Sequence, residues 1–432
     1  MPDTAIATDI GGAITRNRRR VLLLLTAAYA FNAMDRGIIS IIGQAMKVDL
    51  RLSDTQLGLL GGTAFAALYA AGGLPIARLA ERANRVNIIA CSLATWSALT
   101  TVCGLATSFV QLLLSRAGVG IAESGCTPPA HSLISDYFEP RRRATALSVY
   151  SSGISIGYTM AALTGGYVAQ HLGWRAACSV LGLPGLVLAV SLKVFIREPP
   201  RAAGVVRSAG LREEVLEMTR VARVLIRDRR VLNMILGVTI GAFANYGFYA
   251  FAPLYFNRAF GLDYTMTGVI AALSGGFAVG LGIVAGGYVA DRLGRSGSRR
   301  FGLVPSVGTF LATPLYVLML LQKHWVVAVI CLSCAGFFQY VSLGPTFGAV
   351  QNSVGPGRRA TATALLYVFL SVVALGGGPL FTGWAIDTFA ARADLATATR
   401  NGLLVTTVFY GWASLHYFRA AFAPSSVQSD SI

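Results

Sequence analysis

Charge is what this sequence has least of. Only 13% of its residues are charged, about half the share usual in soluble domains. Lysine is nearly absent, being confined to Lys47, Lys193 and Lys323. No G-x-x-x-x-G-K-[ST] occurs, so the chain has no P-loop ATPase site of its own. The four histidines, His131, His171, His324 and His416, form no H-E-x-x-H or comparable metal cluster. No metal and no organic cofactor are expected. Six cysteines lie in or near apolar segments. Cys331 and Cys334 form a lone C-x-x-C on one helical face, where packing is the better reading. No disulfide framework is implied.

Apolar residues fill the space left by charge. They make up 54% of the chain, with mean hydropathy +0.61. About 20 mostly apolar residues cross a bilayer as a helix. By that measure twelve candidate helices run at approximately 21–46, 55–77, 86–105, 109–135, 144–170, 176–195, 231–257, 266–289, 301–321, 325–352, 360–386 and 401–420. The expectation is an all-α integral membrane protein in the lipid bilayer.

The net charge of +17 invites a nucleic-acid reading. Its placement argues against one. Of 36 Lys and Arg, 27 fall at the N-terminus, in alternate loops and at the C-terminal end, seven in the other loops, and two, Arg36 and Arg116, inside helices. This is the positive-inside bias, so both termini are expected to be cytoplasmic. No nucleic acid is expected as a partner. The compact chain with few long loops suits a bacterial inner membrane. Arg16 to Arg20 before VLLLLTAAYA resembles a signal peptide. Cleavage there would remove most of the first helix, so an uncleaved helix is expected.

The chain repeats itself. "ARLAERANR" (77–85) and "GYVADRLGR" (287–295) lie 210 residues apart, "RRATA" at 142–146 and 358–362 lies 216 apart, and "AFNAM" (30–34) and "AFANY" (242–246) lie 212 apart. Three matches in one order indicate a duplicated six-helix unit. The expected units are residues 1–196, a cytoplasmic linker 197–230, and residues 231–432. Pro199 and Pro200 stop the sixth helix. Leu211, Val215, Met218 and Leu225 give the linker an amphipathic helix at the membrane interface.

GYVADRLGR resembles the G-x-L-A-D-R-x-G-R motif of the major facilitator superfamily, repeated once per half. The first copy has Ala77, Glu81 and Asn84 in place of Gly, Asp and Gly. Arg116-Ala-Gly-Val-Gly120 and Gly173-Trp174-Arg175 resemble two further motifs of that superfamily. Within it, Asn32-Ala-Met-Asp35-Arg36, RAGVGIAE (116–123) and Arg197-Glu-Pro-Pro-Arg201 resemble the Spinster-like group. The resemblance implies two pseudo-symmetric six-helix bundles around a cavity lined by helices 1, 4, 7 and 10. It implies export of lysophospholipid or sphingolipid-type amphiphiles. It also implies a crossed latch between loops and helix starts, Glu81 toward helix 11 and Asp291 toward helix 5, with Arg82, Arg85, Arg292 and Arg295 adding contacts. That latch would hold the cytoplasmic side closed.

Asp35 and Glu123 are the only acidic residues deep in helices. Charges in lipid cost roughly 2.5–3.5 kcal/mol each, so they face protein or a watery cavity. At 1.5 Å per residue Asp35 lies about 21 Å and Glu123 about 18 Å from the same side. Burial raises a carboxyl pKa and a guanidinium lowers it. Asp35 and Glu123 are therefore expected to exchange protons, which serve as the coupling ion. Arg36 and Arg116, with Asn32 nearby, are expected to tune them and attract an anionic substrate group. A packing-only set of ion pairs is the competing expectation. Asn245, Tyr246, Tyr249, Phe338 and Gln339 are candidates for an opposing, apolar-aromatic cavity wall.

The expected function is proton-coupled secondary transport by alternating access. The substrate would be an amphiphile, a small organic anion or a drug. No catalytic constellation appears, so an enzyme is not expected. Gly153-Ile-Ser155-Ile-Gly157 matches a hydrolase elbow but lies within an apolar helix, where small residues allow close packing. The other class considered is a receptor that binds without transporting. The chain is expected to be monomeric.

Overall fold

The computed structural model describes residues 2–199, 211–294, 302–354 and 358–423. Among these residues regular structure is helical throughout. In the first half, α1 (Pro2–Leu50) contains the first pass. α2 (Asp54–Gly58), a π-helical turn at Leu59–Thr63 and α3 (Ala64–Arg82) form the second, and α4 (Arg85–Cys103) the third. α5 (Phe109–Glu123) and α6 (Thr127–Tyr137) share the fourth. α7 (Pro140–Phe195) holds the fifth and sixth.

The second half repeats this plan. The linker helix α8 (Leu211–Arg227) precedes α9 (Arg229–Phe260), the seventh pass. α10 (Tyr264–Ala271), a π-helical turn at Ala272–Ala278 and α11 (Val279–Gly294) make the eighth, and α12 (Leu303–Leu321) the ninth. α13 (Trp325–Tyr340) and α14 (Leu343–Asn352) share the tenth. α15 (Arg359–Phe369), a π-helical turn at Leu370–Leu375 and α16 (Gly376–Ala390) form the eleventh, and α17 (Leu395–Phe422) the twelfth.

Local chemistry explains the breaks. Glycine lets the chain reverse inside α7: Gly173 sits at φ 84°, ψ 163°, a region costly for other residues. Beside it, Trp174 Nε1 donates to Asp49 at 3.1 Å, Arg175 pairs with the same carboxylate, and Arg175 Nη2 donates to the Ala106 carbonyl at 3.1 Å. The fourth and tenth passes are each interrupted. Prolines occupy the first turn of α6 and so remove N–H donors that would continue α5. This leaves Glu123 as the last residue of α5.

The passes are wrapped in exposed apolar side chains such as Leu172, Val187, Val190, Val284 and Phe310. A polytopic protein in lipid presents such a surface. Bundle-internal contacts are close. A Cβ on Gly153 or Gly157 would be driven into the α1 backbone at Thr26 or Ala30. The glycines of the elbow-like motif therefore serve helix contact.

How the two bundles meet depends on depth. On the far face, away from the start of α1, one core combines Met34, Ile38 and Ile42 with Phe248, Phe251 and Leu254. On the termini face the cores separate. One holds Val21, Val86, Ile134 and Leu192 of the first bundle. The other holds Val221 and Leu225 of α8 with Met234, Val350 and Leu366 of the second. Glycines report the same divergence. A Cβ on Gly62 would meet the Leu375 carbonyl across the interface, whereas Gly73, farther along the second pass, has nothing within 4 Å. Gly275 and Gly276 would meet Tyr158 and Thr159, whereas Gly287 also has nothing within 4 Å. The bundles are closed at the far face and parted toward the termini face.

Candidate functional site

Asp35 and Arg36 are neighbours on α1, so their side chains leave the helix about 100° apart. Each finds a different partner on the fourth pass. Arg116 Nη1 lies 2.6 Å from Asp35 Oδ2, and Thr100 on α4 donates to the other Asp35 oxygen. Arg36 Nε lies 2.8 Å from Glu123 Oε2. The four charges of the sequence expectation thus meet as two ion pairs crossing between α1 and α5.

Their exposures differ. Asp35, Arg116 and Glu123 are buried, while the Arg36 side chain is 33% exposed. Its guanidinium lies over the rings of Phe65 and Tyr69, at 4.9 and 4.7 Å from their centroids. Such cation–π contacts orient an arginine without consuming its donors. Arg36 gives Nε to Glu123 and faces the space between the bundles. Three buried polar atoms of the cluster have no protein partner: Asn32 Nδ2, Arg116 Nε and Glu123 Oε1. Buried polar atoms are normally satisfied, so the two nitrogens are placed to donate to water or a ligand group, and Glu123 Oε1 to accept from one or to carry a proton.

The second bundle supplies the facing wall. Among the α9 aromatics, Tyr246 is 40% exposed and lies within electrostatic reach of Arg36 and Tyr69. Tyr367 of α15 is 56% exposed and lies within electrostatic reach of Tyr246 and Tyr69. Asn245 is buried and donates to the Tyr340 hydroxyl at 2.8 Å. Gln339 is buried beside Gly241, with its Oε1 unpartnered. Tyr249 is half-buried beside Tyr316, and its hydroxyl makes no hydrogen bond of good geometry. Phe338 packs on the core shared by the two bundles and meets Phe337 edge-on at 5.3 Å. Phe248, Phe251 and Tyr255 are likewise core residues. The aromatic run on α9 is therefore mostly packing, and Tyr246 is its most exposed member. His131 is exposed and meets Tyr150 edge-on at 5.3 Å.

Sequence reading did not single out Thr100, Phe65, Tyr69 or Tyr367. The i, i+4 spacing of Phe65 and Tyr69 puts them on one helical face, but nothing local marks that face as the one toward Arg36.

The termini-face latch is only partly in view. The side chains of Glu81 and Asp291, and Arg295, lie outside the described residues. Arg82 and Arg292 are exposed, and Arg292 covers Tyr288 of its own helix at 4.9 Å. Arg85 does not reach across. It is buried within the first bundle, 2.6 Å from Asp136 and from Glu198 and 2.7 Å from Ser132. Two carboxylates already surround its guanidinium, which pins the start of α4 to the ends of α6 and α7. The linker helix α8 buries Val221 and Leu225 against the second bundle, and its Glu217 pairs with Arg358 at 2.7 Å. Leu211 and Val215 lie outside the described side chains.

The sequence profile of the Major Facilitator Superfamily matches residues 25–379. The chain is 31% identical to an MFS-type efflux pump of Mycolicibacterium smegmatis, covering 97% of this chain and 96% of that one. It is 25% identical to a probable L-galactonate transporter of Escherichia coli (87% and 84% covered) and 24% identical to a sphingosine-1-phosphate transporter of Danio rerio (84% and 75%). Its fold is similar, at TM-score 0.81 and 30% identity, to a bacterial homologue of the human lysosomal transporter Spinster solved inward-facing and unoccupied, covering 94% of this chain and 97% of that one. With twelve passes in a duplicated bundle, a buried ionic cluster between α1 and α5 and these likenesses, this chain belongs to the major facilitator superfamily as a Spinster-like secondary transporter, not an enzyme.

Proposed function

We propose that the protein couples protons to the movement of an amphiphile by alternating access, and that it exports it. The observation that carries this is the crossed pairing of Asp35 with Arg116 and of Glu123 with Arg36. The termini face, where basic residues concentrate, is taken as cytoplasmic. The cavity between the bundles then opens to the cytoplasm. Arg36 offers an anionic head group a charge-assisted partner. Tyr246, Tyr69 and Tyr367 offer an apolar body aromatic surface with polar edges.

The pairing gives coupling a sign. Glu123 and a substrate anion compete for one guanidinium. A proton on Glu123 releases Arg36 to the anion, so anion and proton bind together and move the same way. An ammonium group on the substrate can instead take the place of Arg36 on Glu123. It then excludes the proton, and the two move in opposite directions. Export against an inward proton gradient therefore calls for a head group carrying a positive charge, as zwitterionic lysolipids and sphingoid amines do. A second reading, proton-linked movement of a small organic anion, draws on the exposure of Arg36 beside a fully buried Glu123 and on the likeness to the probable L-galactonate transporter.

The test is reconstitution in liposomes with an internal pH-sensitive dye and a panel of zwitterionic amphiphiles and organic anions. Proton flux opposite to amphiphile flux supports the first reading. Flux in the same direction with organic anions supports the second. Tight binding with no flux would make the protein a receptor and end both.

A further inference from the structure

A second charge cluster lies at the far face, outside every motif discussed so far. Asp54, at the start of α2, is fully buried. Lys47 of α1 reaches it at 2.6 Å. From the other bundle Arg258, near the end of α9, meets it through two nitrogens at 2.7 and 3.2 Å. Arg258 also donates to Gln44 of α1 at 2.8 Å and to Thr399 of α17 at 2.9 Å. Its side chain is 2% exposed. One guanidinium thus ties the first, second, seventh and twelfth passes.

Asp387, at the end of α16, adds a second crossing. Ser53 and Gln56 form a capping box that starts α2. The N–H groups of Asp54 and Thr55 are left free by that box. Asp387 accepts both, at 3.0 and 2.7 Å, and the Thr55 hydroxyl at 2.6 Å. A carboxylate at a helix N-terminus is favourable for charge as well as for hydrogen bonding. The other side of the molecule repeats the contact with a neutral group. Gln170, near the end of the fifth pass, accepts the Tyr264 N–H at the start of α10 at 3.0 Å. Asp54 and Tyr264 are 210 residues apart, and Gln170 and Asp387 are 217 apart, matching the internal repeat.

We propose that Asp387 on the α2 N-terminus, together with the Lys47–Asp54–Arg258 cluster, is the far-face gate of the transport cycle, and that Gln170 on α10 is its weaker symmetry mate. Each bundle closes the far face by capping the second helix of the other with the end of its own fifth. The charged crossing must break for the far face to open. It stabilises the state described here and opposes the latch expected at the termini face. The gate rests on the alternating-access reading and specifies what holds one of its two states.

The test uses the full chain in lipid, with spin-label pairs at Val48 and Leu395 across the far face and at Leu79 and Tyr288 across the termini face. Distances are measured in wild type in acid and alkaline buffer, then in Asp387→Asn, Arg258→Gln and Gln170→Ala. Arg258→Gln leaves Asp54 paired with Lys47, so no buried charge is stranded. In Asp387→Asn and in Arg258→Gln, far-face distances are expected to lengthen and termini-face distances to shorten. The population shift should be about 5- to 150-fold, the range of ordinary coupling energies. Gln170→Ala should shift it less, since a neutral contact is weaker than a charge-assisted one. Unchanged distributions in folded Asp387→Asn and Arg258→Gln, with wild type moving between two states, overturn the gate alone. A wild type held in one state at every pH, with variants to match, overturns alternating access and the gate with it.

Discussion

Glu123 pairs with Arg36 of α1, not with Arg116 two turns back on its own helix, and the contact is 2.8 Å between Arg36 Nε and Glu123 Oε2. Arg116 is occupied by Asp35 at 2.6 Å. The two acids therefore answer to different arginines, and only one of those arginines, Arg36, is partly exposed. Under the proposed function, Arg36 can meet substrate while the Asp35–Arg116 pair stays buried.

Glu123→Gln should uncouple without unfolding. The amide keeps the volume and one acceptor for Arg36 but cannot carry a proton between faces. Gradient-driven flux in proteoliposomes is expected to fall about 5- to 150-fold, while exchange without a gradient persists. Equal loss of both would make Glu123 a structural residue.

Arg116→Ala should act on stability. It strands the Asp35 carboxylate in a buried site with Thr100 as its remaining partner. Removing one member of a buried pair costs roughly 3–5 kcal/mol. The double variant Asp35→Asn/Arg116→Gln, which strands no charge, should recover much of that loss in thermal unfolding in detergent. A double variant as unstable as the single would place the cost elsewhere.

Arg36→Gln should weaken binding of substrates with an anionic head group. A hydrogen bond to a charged group contributes about 1.5–3 kcal/mol, which is roughly a 10- to 150-fold rise in Kd. Titration with head-group variants that lack the anion provides the control. Their affinity should change little.

Arg358→Ala should do little. The Arg358–Glu217 pair between α15 and α8 is half exposed on one side and 35% on the other. Exposed ion pairs contribute about 0–1 kcal/mol. The apolar contacts of Val221 and Leu225 hold α8, so thermal unfolding of this variant should track wild type. A large drop would mean that the ion pair anchors the linker.

Sequence alone determined the solvent, the number of passes and the duplication. Those properties are local and periodic: runs of apolar side chains long enough for a bilayer, basic loops on alternate sides, and motifs recurring at half the chain length. It also isolated Asp35, Arg36, Arg116 and Glu123, because a charge within an apolar run is conspicuous wherever it folds. It did not determine who pairs with whom. Partners there depend on the rotation of α1 against α5, and rotation is set by packing such as Gly157 against Ala30. Nor did it mark Lys47, Asp54, Arg258 and Asp387. Each sits at the end of an apolar run, where a charge is ordinarily solvated, and only the closure of one bundle on the other takes Asp54 and Arg258 out of water.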